Sequence, residues 1–290
     1  NVHTTPAFLV GATVVLQSRF EPDATVAAFR GERPTMIVLV PAMMQAVFDH
    51  PDWEAIDFSC LRLMTTGSTT VPRPLLQTFL ERGIPVVQMY GLTEAAPIAV
   101  LQRADAAWTT AGSTGKPALY CDARIVDGNG NTLPPHQKGE ILVRGPNVMR
   151  EYWNNPEATR EALKDGWLYT GDVGHVDDDG NFYIDDRSKD VIISGSENIY
   201  PAEIEIPLDE CPDIAEAAVV ARPDERWGEV AVACVVLKPG VDLAREDILA
   251  LFANRIARFK HPHDVVFMDA LPRNAVGKIL KHELRAKLKC

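Results

Sequence analysis

The chain has 290 residues, 46% of them hydrophobic and 24% charged, with a formal net charge of −11. That length holds two or three compact units, the composition is that of an ordinary globular protein, and the acidic balance argues against nucleic acid as a partner. No apolar run approaches the ~18 residues of a membrane-spanning helix, so no transmembrane segment is expected.

The apolar run at residues 9–16 opens the chain and is expected to be a buried strand. A buried strand so near the start predicts that upstream sequence has been lost. Residues 36–40, 61–64 and 85–89 are short apolar runs bounded by breakers, which predicts strands. Residues 41–50 and 72–82 have helical character, each opened by a proline suited to a first turn. Strand–helix alternation of this kind predicts a mainly parallel α/β sheet over residues 1–105.

The texture changes near Asp105. Asp127-Gly128-Asn129-Gly130 and Asp178-Asp179-Gly180-Asn181 are hairpin signals between β-rich runs, so residues 106–185 are expected to form a β-rich subdomain. The charged string at residues 186–190 then reads as a junction. Residues 191–290 mix strands at 217–221 and 230–237 with helices, as in a separate α+β domain. Leu280, Leu284 and Leu288 give the last helix one apolar face. The fold class expected is therefore α/β plus α+β. The five scattered cysteines form no Cys-x-x-Cys pair and suit reduced thiols in a cytoplasmic setting.

Four segments carry chemistry. Met89-Tyr90-Gly91-Leu92-Thr93-Glu94 follows a strand, at the sheet edge where α/β proteins bind ligands. It offers a stacking face, a close backbone approach, a hydroxyl and a metal-capable carboxylate. It reads equally as a strand-to-helix turn capped by Thr93. Gly166-Trp167-Leu168-Tyr169-Thr170-Gly171-Asp172 ends in a carboxylate able to accept from both hydroxyls of a ribose, or in a hairpin-flanking acid. Asp186-Arg187-Ser188-Lys189-Asp190, followed by the Ser194-Gly195-Ser196-Glu197-Asn198 loop and a helix begun at Pro201, reads as a binding loop or a surface connector. Leu271-Pro272-Arg273-Asn274-Ala275-Val276-Gly277-Lys278 sets a lysine just past a glycine turn. On its own that lysine is an ordinary solvated side chain.

Taken together and in this order, the four segments resemble the adenylate-forming superfamily of acyl- and aryl-CoA synthetases, luciferases and peptide-synthetase adenylation domains. The resemblance extends over residues 11–288. It is supported by Thr66-Gly67-Ser68-Thr69-Thr70, by the Gly139 to Asn147 stretch and by Glu151-Tyr152-Trp153-Asn154-Asn155-Pro156.

The resemblance implies an acyl-CoA synthetase using ATP, Mg2+ and CoA on a small carboxylic acid. Gly67, Ser68, Thr69, Tyr90 and Gly91 would surround adenine, with Tyr90 stacking on it. Thr93 would hydrogen-bond the AMP phosphate and Glu94 would hold Mg2+. Asp172 would take the ribose hydroxyls and Arg187 would reach the ribose and phosphate side. Lys278 would bridge the attacking carboxylate and the α-phosphate, where a fixed ammonium stabilises developing negative charge. At its reference pKa near ~10.4 such a lysine is charged without tuning. Lys189 matches the hinge position, about which the C-terminal domain turns between half-reactions. Ser194, Gly195 and Ser196 would line the CoA path, with Gly195 leaving room for the pantetheine arm.

The chain departs from the pattern in four places, one of them Ser68-Thr69 in place of a more usual Gly-Ala or Ser-Ala pair near adenine. The phosphate loop that grips the β- and γ-phosphates is absent. Gly112-Ser113-Thr114-Gly115-Lys116 mimics it but lies downstream of Tyr90 and matches another stretch of the family. Ser196 replaces a glycine. Pro207 lies inside the helix begun at Pro201 and is expected to kink or end it. The small apolar run Ala95-Ala96-Pro97-Ile98 favours a fatty or aromatic acid. The alternatives are an adenylation domain serving a carrier protein, a non-catalytic adenylate-binding fragment, and a nucleotidase built on the Gly112 to Lys116 mimic.

Overall fold

The computed structural model describes residues 2–68, 71–195, 197–274 and 277–288. The chain divides into two compact units, one comprising Asn1–Thr170 with Gly174–Ile184 and the other Gly171–Val173 with Asp185–Cys290.

The first unit opens with α1 (Thr4–Leu9), α2 (Pro22–Gly31), β1 (Met36–Val38), α3 (Pro41–Phe48), β2 (Leu63–Thr66), α4 (Arg73–Glu81), β3 (Val86–Gly91), β4 (Ile98–Leu101) and β5 (Lys116–Pro117). The strands form one sheet in that order. β1, β2 and β3 are parallel, as the strand–helix alternation predicts, whereas β3, β4 and β5 run antiparallel. α4 shows why the helices pack as they do. Its Leu75, Leu76, Phe79 and Leu80 fall on one face and are buried, the spacing of an amphipathic helix. They join Phe29, Met44 and Met64 in the core beside the sheet.

The expectation of a buried strand at residues 9–16 fails. Residues 4–9 are helical, residues 12–16 have no regular structure, and Leu9, Val10 and Leu16 are 87%, 77% and 82% exposed. An apolar run sets a preference for burial, but a strand also needs a neighbour for its backbone groups, and among the described residues no strand pairs with these.

The second sheet holds β6 (Asp122–Val126), β7 (Gly139–Arg144), β8 (Leu163–Lys164), β9 (Trp167–Val176) and β10 (Phe182–Arg187), with α5 (Pro156–Ala162) before β8. Its order is β10-β9-β7-β6, with β8 on β9. Two turns of the same design shape it. Asp127 Oδ1 accepts from the Asn129 and Asn131 amides, and its Oδ2 accepts from Asn131 Nδ2. Asp177 does the same for Asp179 and Asn181. In each, a glycine with positive φ, Gly130 or Gly180, completes the turn.

The second unit contains β11 (Ile192–Ser194), β12 (Glu197–Ile199), α6 (Pro201–Asp209), β13 (Ile214–Asp224), β14 (Gly228–Leu237), α7 (Arg245–Ala250), β15 (Asp264–Phe267) and α8 (Lys281–Lys287). Its sheet runs β12-β11-β14-β13, with β15 parallel to β14. Alternation along β13 splits the core in two. Ala217 and Val219 pack with Ile204 and Leu208 of α6 and Ile248 of α7. Ala218 and Val220 pack with Leu284 of α8, beside which Ile279 and Leu288 are partly buried. The apolar face expected for the last helix is thus used. α6 runs through Pro207 and stops two residues later. In so short a helix the missing amide costs a single hydrogen bond at the last turn.

Candidate active site

Local packing fixes the conformation of residues 89–96 before any ligand is considered. The β3–β4 register slips between Tyr90 and Gly91, a bulge that ends the regular pairing just ahead of the polar residues. A Cβ on Gly91 would lie 1.8 Å from the Pro97 carbonyl oxygen, and one on Gly67 would lie 2.7 Å from the Met89 carbonyl oxygen. Thr93 begins a single 3-10 turn, Thr93–Ala95, with no side-chain cap, so the capping role open to it in the sequence is not taken. The turn ends at Ala96 in the left-handed region, φ 46°, where a residue with a Cβ sits only when its neighbours impose it.

The first unit supplies those neighbours from a segment far along the chain. Met149 N–H donates to the Glu94 carbonyl at 2.7 Å, Asn147 Nδ2 donates to the Ala95 carbonyl at 2.7 Å, and the Tyr152 hydroxyl donates to Glu94 Oε1 at 2.8 Å. Burial, and then the Glu94 carboxylate, push the Tyr152 phenol above its usual range. Thr93 is exposed, Glu94 is half-buried, and Ser68 takes a positive φ of 73°. Two expectations change here. Tyr90 does not offer an open ring, since it is 8% exposed and packs with Ala99, Val100 and Ile141; little of its surface is left for stacking. Ala95 faces the same core and is fully buried. Thr69 lies outside the described residues.

The second unit gathers the charged residues. Asp172, 6% exposed, pairs with Arg187 Nε at 3.2 Å. Lys278 sits on a tight turn in which its own N–H donates to Asn274 Oδ1 at 2.9 Å and its carbonyl accepts from Asn274 N–H at 3.0 Å. Gly277, with φ 82°, makes that turn possible. The ammonium is half-buried and feels Arg187, Asp172, Asp190 and Lys189. Burial first, and then the Arg187 guanidinium, lower its pKa against the opposing pull of Asp172 and Asp190. The fold thus shifts this lysine downward from its ordinary value. Asp172, Arg187 and Lys278, far apart in sequence, are brought into one electrostatic neighbourhood.

A second charged group lies within the same unit. Asp186 Oδ2 accepts from the Ala202 N–H at the start of α6 at 3.1 Å. Lys281 Nζ pairs with Glu205 at 2.8 Å, and Arg285 pairs with Asp190 at 2.8 Å. Burial raises the Asp186 carboxyl, and nearby Lys281 only partly offsets it. Burial would lower the Lys281 ammonium, but Glu205 and Asp186 outweigh it and the net shift is upward. Lys189, exposed in the one-turn Ser188–Asp190 segment, lies between the two anchored acids.

At the loop after β11, Gly195 takes φ 58° and donates to the Trp227 carbonyl at 2.9 Å. A Cβ there would come within 2.8 Å of the Trp227 ring. The space expected to be open at Gly195 is filled by that indole. Ser194 closes β11 opposite Glu197, and Ser196 lies outside the described residues. Ser113, the centre of the phosphate-loop mimic, is fully buried and donates to the Phe182 carbonyl at 3.0 Å; this loop is a structural joint and not a phosphate cradle.

The profile for AMP-binding enzymes matches residues 1–153, and the profile for their C-terminal domain matches residues 203–278. The chain belongs to the AMP-binding enzyme family. It is 52% identical over 285 residues to an indoleacetate–CoA ligase of Aromatoleum aromaticum, covering 98% of this chain and 56% of the relative. It is 47% identical over 283 residues to a feruloyl-CoA synthase of an Amycolatopsis species, covering 97% and 57%. Among solved structures, o-succinylbenzoate CoA synthetase from Bacillus subtilis, in complex with its acyl-adenylate intermediate, superposes with a TM-score of 0.87 at 35% identity, covering 97% and 57%. The chain thus spans somewhat over half the length of the relatives it matches.

Residues 147–152, which hold Glu94, and Trp227, which fills the space at Gly195, were not singled out for chemistry by sequence reasoning. Asn147 and Tyr152 stand in stretches that support the family resemblance, but no local pattern ties them to a glutamate more than fifty residues upstream.

Proposed function

We propose that this chain carries the adenylate-handling and acyl-transfer residues of an AMP-forming CoA ligase acting on an aromatic carboxylic acid. The observation that carries the reading is the grouping of Asp172, Arg187 and Lys278 in one charged neighbourhood. One carboxylate suits a ribose diol and two cations suit a phosphate and a carboxylate. The aromatic preference rests on similarity to ligases named for indoleacetate, ferulate and succinylbenzoate, and it replaces the broader fatty-or-aromatic expectation.

In the first half-reaction a carboxylate oxygen attacks the α-phosphorus of ATP, and the bond to pyrophosphate breaks with its electron pair. In the second, the CoA sulfur attacks the acyl carbon, the thiol proton is lost and AMP leaves with the electrons of the acyl–oxygen bond. Lys278 holds positive charge beside the attacking carboxylate and the phosphate, where negative charge accumulates. Asp172 and Arg187 position the ribose, and Thr93 donates its hydroxyl to the phosphate. Glu94, a half-buried carboxylate, fits the hard oxygen donor that Mg2+ prefers, and that ion would neutralise phosphate charge when bound. Gly67, Ser68, Tyr90 and Gly91 shape the nucleotide surface. Ser194 and Gly195 border the CoA path.

The test is direct. Preformed indoleacetyl-AMP, benzoyl-AMP and octanoyl-AMP are each given to the chain with CoA, and thioester is followed by mass spectrometry. Faster conversion of the aromatic adenylates is expected. Preference for octanoyl-AMP would overturn the acid class, and adenylate bound without thioester would favour a carrier-protein acceptor. Residues 186–190 are assigned as the hinge between residues 1–185 and the C-terminal domain of residues 191–290. Lys189→Pro fixes φ at the residue assigned to turn and is expected to slow thioester formation more than adenylation. Equal losses in the two half-reactions, assayed separately, would remove the hinge assignment.

A further inference from the structure

We propose that Tyr152 is a positioning residue for Glu94. It holds the carboxylate so that one oxygen stays with the protein and the other faces a divalent cation. The proposal rests on the reading of Glu94 as the cation-binding carboxylate. The Tyr152 hydroxyl takes Oε1 at 2.8 Å across 58 residues of sequence. Among the described residues Oε2 has no hydrogen-bond partner, and the side chain keeps access to solvent.

Both ends of this contact are held independently. On the Glu94 side, Met149 N–H binds the Glu94 carbonyl and Asn147 binds the Ala95 carbonyl, so the turn that carries the carboxylate is fixed by the same segment. On the Tyr152 side, its own N–H donates to Thr159 Oγ1 at 3.0 Å. Thr159 Oγ1 donates to the Asn155 carbonyl at 2.8 Å, and Asn155 caps α5 through Ala158 N–H at 3.1 Å. The phenol is thereby referenced to a helix, and Glu94 to a sheet edge.

A glutamate has three rotatable bonds, and a cation that must first immobilise a free carboxylate binds more weakly than one that meets it in place. The hydroxyl removes that freedom beforehand. It also takes one lone pair of Oε1, which leaves Oε2 as the oxygen that would meet a hard divalent cation. Partners of this kind typically change metal affinity by about 10- to 100-fold.

The experiment titrates Mn2+ into the protein with ATP and without acid, reading free Mn2+ by electron paramagnetic resonance. Tyr152→Phe, which keeps the ring, is expected to weaken Mn2+ binding by about 10-fold with little change in Tm. Glu94→Gln is expected to weaken it further, and Tyr152→Phe added to Glu94→Gln should then change nothing more. Wild-type affinity in Tyr152→Phe, with loss in Glu94→Gln, overturns the role of Tyr152 and leaves the cation reading intact. An equal loss from Tyr152→Phe in both backgrounds also overturns it, because the effect then bypasses Glu94. Unchanged binding in Glu94→Gln, or no Mn2+ retained by the wild type, overturns the cation reading itself.

Discussion

Lys278→Ala is expected to slow acid-dependent adenylation by about 10²- to 10³-fold, the cost of removing one preorganised charge donor, while Tm stays level or rises. The two halves of this result have one physical origin. The Lys278 ammonium is half-buried and near Arg187, so folding weakens its hold on a proton. For a cation whose folded pKa is depressed, the penalty is fully present below the folded value, which includes neutral pH. It is relieved only as pH rises past that value toward the unfolded one. Removing the side chain removes the penalty together with the catalytic charge. For the same reason the alkaline limb of adenylation lies below the ordinary lysine value of ~10.4. Pyrophosphate exchange and thermal denaturation of the same variant measure both effects. A rate near wild type would remove Lys278 from the mechanism, and a large fall in Tm would make it a structural residue.

Gly91→Ala is expected to destabilise the protein by about 3 kcal/mol, at the upper end of overpacking costs, lowering Tm by roughly 6–12 °C. The added methyl would meet the Pro97 carbonyl oxygen at 1.8 Å and Ile98 Cα at 2.9 Å. Both are backbone atoms held by the β3–β4 pairing, so no side chain can swing away. Relief requires opening the bulge, which displaces Tyr90 on one side and Thr93 and Glu94 on the other. Adenylation should fall even at temperatures where the variant is folded. Thermal denaturation with an unchanged midpoint would show that the segment relaxes freely.

The parallel strands of the first sheet are legible because breakers bound short apolar runs and prolines open the helices between them. The two Asp-initiated turns are legible because their side-chain chemistry is local. Residues 9–16 mislead for the opposite reason, since burial of an apolar run depends on partners that composition does not name. Lys278 is singled out by its motif, but the downward shift of its ammonium is not legible, because Asp172 and Arg187 reach it only through the fold. The Tyr152–Glu94 bond is hidden in the same way. At Gly195 the sequence indicates absence of a side chain and cannot say that Trp227 fills the gap.

The anchoring of residues 186–190 has a consequence for the assigned hinge. A torsional change at Lys189 keeps Asp190 with Arg285, because both lie on its C-terminal side, and carries Asp186 away from Ala202 and Lys281. Only one of the two tethers is then broken. Asp186 holds its proton more tightly where it is than it would in water. Swinging out would therefore shed that proton over the window between the ordinary carboxyl value of ~3.9 and the raised one. Within that window the swing is coupled to loss of a proton, so falling pH is expected to favour the seated position of Asp186.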